Sequence, residues 1–210
     1  MGKAKDGVSG AVNGKVGKAI WYKLGDQNIV RGLSTRDKPL TPAEKVNTGK
    51  MKLLMEVFKS IKPFLKAGFG IAAQGTSLNY HNVATSINRN SLQRLDGNLQ
   101  DLDYNHLVLS TGSAVPAIEP IVTAVTGGLK YSWDWNPRDY KSGEDQVMMM
   151  AYMPDENAAA YEIAGAKRKY KEDFLFMPPS YLQQRLELFI AFIKNDRTMV
   201  SNSMYLGRIN

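Results

Sequence analysis

The sequence predicts a mainly β protein with some α, in which a C-terminal β-sandwich follows an N-terminal β-hairpin arm and a long helix. Residues 129–135 alternate apolar and polar side chains, which is the period of a strand with one covered face. Residues 146–153 and 186–193 are apolar at nearly every position, which indicates central strands covered on both faces. Four shorter segments add further strands: 107–110, 118–125, 173–176 and 198–206. About seven strands in about 100 residues is the density of an immunoglobulin-like sandwich.

The composition supports a hydrophobic core and places the positive charge near one end of the chain. The chain has 210 residues, 43% of them hydrophobic, and a formal net charge of +7. Residues 1–68 contain 14 Lys and Arg against 5 Asp and Glu, so the basic excess is N-terminal. Because there is no cysteine, disulfides, thiolate nucleophiles and cysteine-ligated zinc are excluded.

The first residues and the lengths of the apolar runs indicate where in the cell the protein is made and whether it spans a membrane. The N-terminus lacks the apolar region of a signal peptide, and no apolar run approaches the roughly 18 residues of a membrane span. We therefore expect synthesis in the cytoplasm and no transmembrane segment. The final location stays open and includes a released particle or a surface assembly.

Residues 1–40 predict a glycine-rich, basic β-hairpin arm. Two β-prone runs, 18–23 and 27–31, flank a short turn. A phosphate loop at Gly14-Lys15 is disfavoured, because Val16 stands where a serine or threonine would hold magnesium. Two interpretations of the glycines remain: flexible or close-packed backbone, and an arm that approaches and pairs with a partner subunit.

Residues 41–68 predict a capped, basic, amphipathic helix. Thr41 is a good N-cap, Pro42 suits the first helical position, and Glu44 completes a capping box. Pro63 is expected to kink or end the helix near Lys62. Residues 69–106 then predict a polar connector packed on the body, with a short helix at 79–92. The sandwich domain is expected over 107–210.

No combination of residues predicts catalysis, a cofactor or a metal ion. His81 and His106 are too far apart in sequence for a recognised metal-binding spacing. Asp101 and Asp103 lack the turn glycine and the distal glutamate of a calcium loop. Ser110 has no accompanying His and Asp pattern of a hydrolase. We therefore expect a protein that is not an enzyme.

Several short motifs occur along the chain in a fixed order. They are Gly14-Lys15-Val16-Gly17, Val30-Arg31, Thr41-Pro42-Ala43-Glu44, Leu109-Ser110-Thr111-Gly112, Ser132-Trp133, Asp145-Gln146-Val147-Met148 and Ser201-Asn202-Ser203-Met204-Tyr205-Leu206-Gly207. Taken together, they resemble a family of uncharacterised proteins of about this length, found mainly in Bacteroidota and catalogued as a domain of unknown function, DUF6266. Glu44 stands where the family pattern reads Gln, and either residue closes the capping box. The resemblance implies no activity or cofactor.

A second resemblance concerns the fold of the C-terminal half alone, which is similar to fibronectin type III domains. Trp133 resembles the core tryptophan of an early strand in those domains, and residues 201–203 resemble the start of the last strand. Fold of this kind does not imply a function.

Two functional hypotheses follow from these features. The first is a structural or assembly protein of a phage-like particle, tail or filament, which self-associates or docks on a partner protein through its arm. The second is a nucleic-acid-binding protein that contacts phosphates through its basic hairpin and helix. The first hypothesis uses Val16, Ile20, Trp21, Tyr22, Ile29, Val30 and Arg31, and the second uses Lys45, Lys52, Lys59, Lys62 and Lys66.

Overall fold

The computed structural model describes residues 3–4, 12–24, 27–35, 37–89 and 102–210. The chain divides into two compact units, Met1–Lys45 and Val46–Asn210.

The first unit contains an antiparallel four-stranded sheet in the order β1-β2-β3-β4. Its strands are β1 (Lys3–Ala4), β2 (Val12–Val16), β3 (Ala19–Leu24) and β4 (Gln27–Gly32). The hairpin predicted from residues 18–31 is therefore confirmed as the pair β3 and β4. The glycine-rich segment adds β2, which pairs with β3 around a two-residue turn. Gly17 takes a φ of 58° in that turn, a conformation that glycine adopts without strain.

The helices are α1 (Pro42–Ser60), α2 (Lys62–Ala73), α3 (Tyr80–Asn88) and the short α4 (Pro179–Leu182). The predicted capping box is confirmed at the start of α1. The Thr41 N–H donates to Glu44 Oε2 at 2.9 Å, and the Glu44 N–H donates to Thr41 Oγ1 at 3.3 Å. The predicted interruption at Pro63 is confirmed as well, because α1 ends at Ser60 and α2 begins one residue before the proline.

Seven strands of the second unit form two antiparallel sheets. A three-stranded sheet has the order β5-β6-β9, and a four-stranded sheet has the order β11-β10-β7-β8. The strands are β5 (Ile118–Val125), β6 (Gly128–Asp134), β7 (Gln146–Met153), β8 (Ala158–Glu162), β9 (Glu172–Phe176), β10 (Leu186–Ile193) and β11 (Met204–Ile209). The predicted fold class, mainly β with some α, is confirmed.

The four-stranded sheet is covered on both faces. Met149 of β7 and Ile190 of β10 belong to the core between the two sheets, together with Trp133 of β6. Met150 of β7 and Phe189 of β10 belong to a second core formed with α1, α2 and α3. Because successive strand residues point to opposite faces, the two cores alternate along each strand. This double coverage is the physical reason for the apolar runs from which central strands were predicted.

Two strand predictions need correction, and one strand was not predicted. The strand predicted at 107–110 is wrong, since Leu109 bonds through its N–H to the Ser203 hydroxyl and not to a ladder. The strand β8 was missed, because its three alanines carry no β preference. The last strand begins at Met204 instead of Thr198, and Val200 makes only an isolated bridge to Ile193.

Candidate interaction surfaces

The side chains that were predicted to make an interaction lie on both faces of the N-terminal sheet. Directly opposed residues of an antiparallel pair share a face. Val16, Trp21 and Val30 therefore form one face, called here the tryptophan face. Ile20, Tyr22, Ile29 and Arg31 form the other, called here the tyrosine face.

Neither face of this sheet is buried. Val16 and Val30 are 50% and 48% exposed, and the remaining apolar members of both faces are half-buried. Between positions 3 and 45, none of the side chains whose exposure the structure describes is fully buried. A sheet gains stability chiefly by covering one apolar face, so these side chains retain hydrophobic surface that a partner can cover.

The five lysines of the alternative prediction are all exposed. Lys45 lies in the first unit, whereas Lys52 and Lys59 lie two turns apart on α1 within the second. Lys62 and Lys66 lie one turn apart on α2. Within the described part of the chain, Lys52 has an acidic partner, Glu56, at 3.9 Å, and no ion pair involves the other four. The charges of Lys45, Lys59, Lys62 and Lys66 are therefore available to an anion.

A buried arginine, which sequence reasoning missed, lies at one end of the sandwich. The Arg168 guanidinium lies 3.5 Å from the centre of the Phe192 ring and donates a hydrogen bond to the Pro116 carbonyl at 2.9 Å. Burial lowers its pKa to about 10 and raises the pKa of Asp145, whose carboxylate lies 3.8 Å away. The Trp133 indole donates to the Arg168 carbonyl at 2.8 Å. Because these groups are enclosed by packed side chains, their role is structural.

A second buried charge, Glu187, lies on the helix-covered face of β10. Its carboxylate accepts hydrogen bonds from Arg185 Nε at 2.9 Å, from Arg208 Nε at 2.8 Å and from the Tyr205 hydroxyl at 2.5 Å. Burial and this last hydrogen bond raise the pKa of Tyr205. The signal in the sequence is a single acidic residue within an otherwise apolar strand. Its partners satisfy the carboxylate, so the cluster stabilises the strand pair β10 and β11.

The residues that were weighed for catalysis are not brought together. The His81 ring packs edge-on against Phe58 with 5.6 Å between centroids, and His106 Nδ1 lies 2.6 Å from Asp103 Oδ2 on the surface. The Ser110 hydroxyl donates to the Ser201 carbonyl at 2.8 Å and so serves the backbone. Asp101 lies outside the described residues.

The described residues contain no group of three or more His, Cys, Asp or Glu side chains that could hold a metal ion. Over the same parts of the chain, no helix combines the length and the apolar character needed to cross a membrane.

Comparison with known proteins gives one match. The model of a family of unknown function, DUF6266, matches residues 6–207. No curated protein and no solved structure matches the chain. The family match spans strands β2 to β10, all four helices and the first part of β11, so it concerns both units and not one module. The chain therefore belongs to the DUF6266 family, a family of unknown function.

Proposed function

We propose that the protein is a non-enzymatic structural or assembly protein that self-associates through its N-terminal sheet, as a component of a phage-like particle, a tail or a filament. The observation that carries the proposal is that no side chain of the first unit whose exposure the structure describes is fully buried. An apolar sheet face exposed to water is a surface that association covers favourably.

A second copy of the chain is the partner that this sheet favours. Strand β4 lies at the end of the strand order, so one side of its backbone is open to further pairing. Identical edges can pair about a two-fold axis, and the apolar residues next to them are then covered in the same step. Trp21 and Tyr22, half-buried on opposite faces, supply the largest apolar areas for such a contact.

The second unit supports the proposal as a scaffold. Its three strands β5-β6-β9 and four strands β8-β7-β10-β11 make an antiparallel sandwich, and we propose that this sandwich is similar to fibronectin type III domains. Sandwiches of this class carry many functions. The fold therefore supports the assembly hypothesis only by supplying a rigid body for the N-terminal sheet, and it implies no chemical activity.

Deletion of residues 1–36 tests the proposal. Multi-angle light scattering after size exclusion should give an oligomer for the full chain and a monomer for the truncated chain, at matched concentration. Circular dichroism should retain the strand and helix signal of the second unit, which has its own hydrophobic cores. If the truncated chain forms an oligomer with the same number of subunits, the N-terminal sheet is not part of the interface.

Charge substitutions identify which face is used. Val16→Lys with Val30→Lys alters the tryptophan face, and Ile20→Lys with Ile29→Lys alters the tyrosine face. A double variant should dissociate the oligomer if the contact covers its face, and dissociation by both variants would mean that both faces are covered. An oligomer that survives both double variants would contradict the apolar contact. Negative-stain electron microscopy at moderate and high salt then shows whether the oligomer is closed or extends into a filament.

Binding of nucleic acid is the second candidate function, and the exposed lysines of α1 and α2 favour it. Contacts to phosphates weaken steeply as salt rises, whereas strand pairing persists. Fluorescence anisotropy with a labelled duplex between roughly 50 and 200 mM salt separates the two candidates. Affinity that falls by several orders of magnitude, and that is lost when Lys52, Lys59, Lys62 and Lys66 become Gln, would support nucleic acid.

A further inference from the structure

A groove runs along one face of α2 in the second unit. It encloses about 570 Å³, within the range of roughly 300–1,000 Å³ that small-molecule sites occupy. One wall is helical, and the other consists of residues at and just beyond the ends of β8 and β10. The apolar lining is Pro63, Ala67, Gly70, Ile71, Ile163, Ala164 and Ile193.

The groove exists because α2 carries small residues on this face. A Cβ atom at Gly70 would meet no other atom within 4 Å, so the space above the helix at this point is empty. The other face of α2 carries Phe64, Leu65 and Phe69, all fully buried in the core. The large side chains therefore hold α2 in the core, and the small residues on its other face form the floor of the groove.

Two cationic side chains lie at the rim of this apolar floor. Lys66 is exposed and makes no ion pair with any residue that the structure describes. Arg197 is held beside the groove because its guanidinium donates to Gln146 Oε1 at 2.7 Å and to the Ile163 carbonyl at 3.3 Å. These contacts leave other N–H groups of the guanidinium for a ligand. None of the described lining residues is acidic.

We propose that this groove binds a small amphiphilic carboxylate, a molecule with an alkyl or aromatic body and one carboxylate at its end. The body lies on Ala67, Gly70 and the isoleucines, where it is removed from water. The carboxylate lies between Lys66 and Arg197, whose charges complement it. The inference concerns the second unit alone and does not rest on self-association.

Methyl NMR of the full chain tests the proposal with three probes of one shape. These are 4-phenylbutyrate, 4-phenylbutan-1-ol and 4-phenylbutylamine, which carry an anion, a neutral group and a cation. The δ1 methyl groups of Ile71, Ile163 and Ile193 should shift saturably with 4-phenylbutyrate, whereas that of Ile190, between the two sheets, should not. The alcohol should bind about tenfold more weakly, and the amine more weakly still. The absence of saturable shifts, or equal binding of all three probes, would overturn the proposal.

Two pairs of variants locate the ligand. Gly70→Leu fills the groove and should abolish the shifts, whereas Ala72→Leu, exposed on the same helix outside the groove, should preserve them. Lys66→Gln should weaken 4-phenylbutyrate about tenfold and leave the alcohol unchanged, with Lys59→Gln as the exposed control on α1. Binding that survives Gly70→Leu would refute the site. If Gly70→Leu does not fold, Lys66→Gln tests the site alone. In that case, an unchanged ratio of the acid affinity to the alcohol affinity would refute the site.

Discussion

The backbone of Gly68 on α2 lies directly against the carbonyl oxygen of Leu109. A Cβ atom at position 68 would overlap that oxygen and would also crowd Ser110. The Gly68 carbonyl accepts a hydrogen bond from the Thr111 N–H at 3.1 Å, so helix and loop are bonded where they cross. The segment that follows Leu107 therefore docks on α2 through bare backbone, and any side chain at position 68 pushes the two apart.

Gly68→Ala and Gly70→Ala should have opposite effects on stability, although both glycines lie in α2 two residues apart. The first introduces a steric overlap and should lower the free energy of unfolding by about 1–3 kcal/mol. The second meets open space and should raise it by about 1 kcal/mol, through the helix propensity of alanine. Urea denaturation measures both. Equal effects in the two variants would contradict the close approach at Gly68.

Asn88, at the end of α3, makes the next connection to the same segment. Its fully buried side chain donates to the Val108 carbonyl at 2.7 Å and accepts from the Val108 N–H at 2.8 Å. Asn88→Ala should lower the free energy of unfolding by about 2–4 kcal/mol, because two backbone groups of Val108 lose their partners away from water. Thermal and urea denaturation measure the loss. Ser86→Ala, exposed on the same helix, is the control and should change stability little.

The parts of the fold that the sequence predicts are those encoded by neighbouring residues. The capping box joins Thr41 to Glu44, three residues apart, and Pro63 ends α1 through local sterics. The central strands β7 and β10 are recognisable because burial on both faces leaves a nearly continuous apolar run, in which Glu187 is the single charged residue.

The parts that escape prediction depend on partners far apart in sequence. The Pro116 carbonyl that binds Arg168 lies 52 residues away, and the run around Arg168 looks like a solvated basic segment. The segment at 107–110 reads as a strand, but the backbone groups of Val108 bond to the Asn88 side chain and the Leu109 N–H bonds to the Ser203 hydroxyl. The groove could not be predicted from the sequence either, because the empty space beside Gly70 exists only once α2 has taken its packed position.

The hydrogen-bonded cluster around Glu187 gives a third prediction. Glu187→Gln should lower the free energy of unfolding by about 2–3 kcal/mol, because Arg185 and Arg208 lose a buried counterion. The two arginine side chains are partly exposed, which places the expected loss below that of a fully enclosed pair. Tyr205→Phe removes one hydrogen bond to the carboxylate and should lower stability by about 1–2 kcal/mol.

The double variant of Glu187 and Tyr205 is the control for this cluster. Because the phenol and the carboxylate contact each other, the combined loss should be smaller than the sum of the two single losses. Guanidinium denaturation of the parent, the two single variants and the double variant measures the four free energies of this double-mutant cycle. Additive losses would mean that the two side chains act independently.

The exposed ion pairs of Glu144 give a dependence on acid pH. Hydrogen bonds from Lys167 at 2.6 Å and from Lys169 lower the Glu144 pKa to about 2, below the roughly 4.3 of an unfolded chain. A lowered carboxyl pKa stabilises the fold above the unfolded pKa, and that contribution is lost as pH falls toward the folded value. The difference in unfolding free energy between the parent and Glu144→Gln should thus be constant above about pH 5 and should shrink between about pH 4.3 and 2. Urea denaturation at stepped pH measures it, with Glu119→Gln, exposed and without an ion pair among the described residues, as the control. A difference that does not change with pH, or that persists undiminished in 1 M salt, would show that Glu144 acts through packing instead of charge.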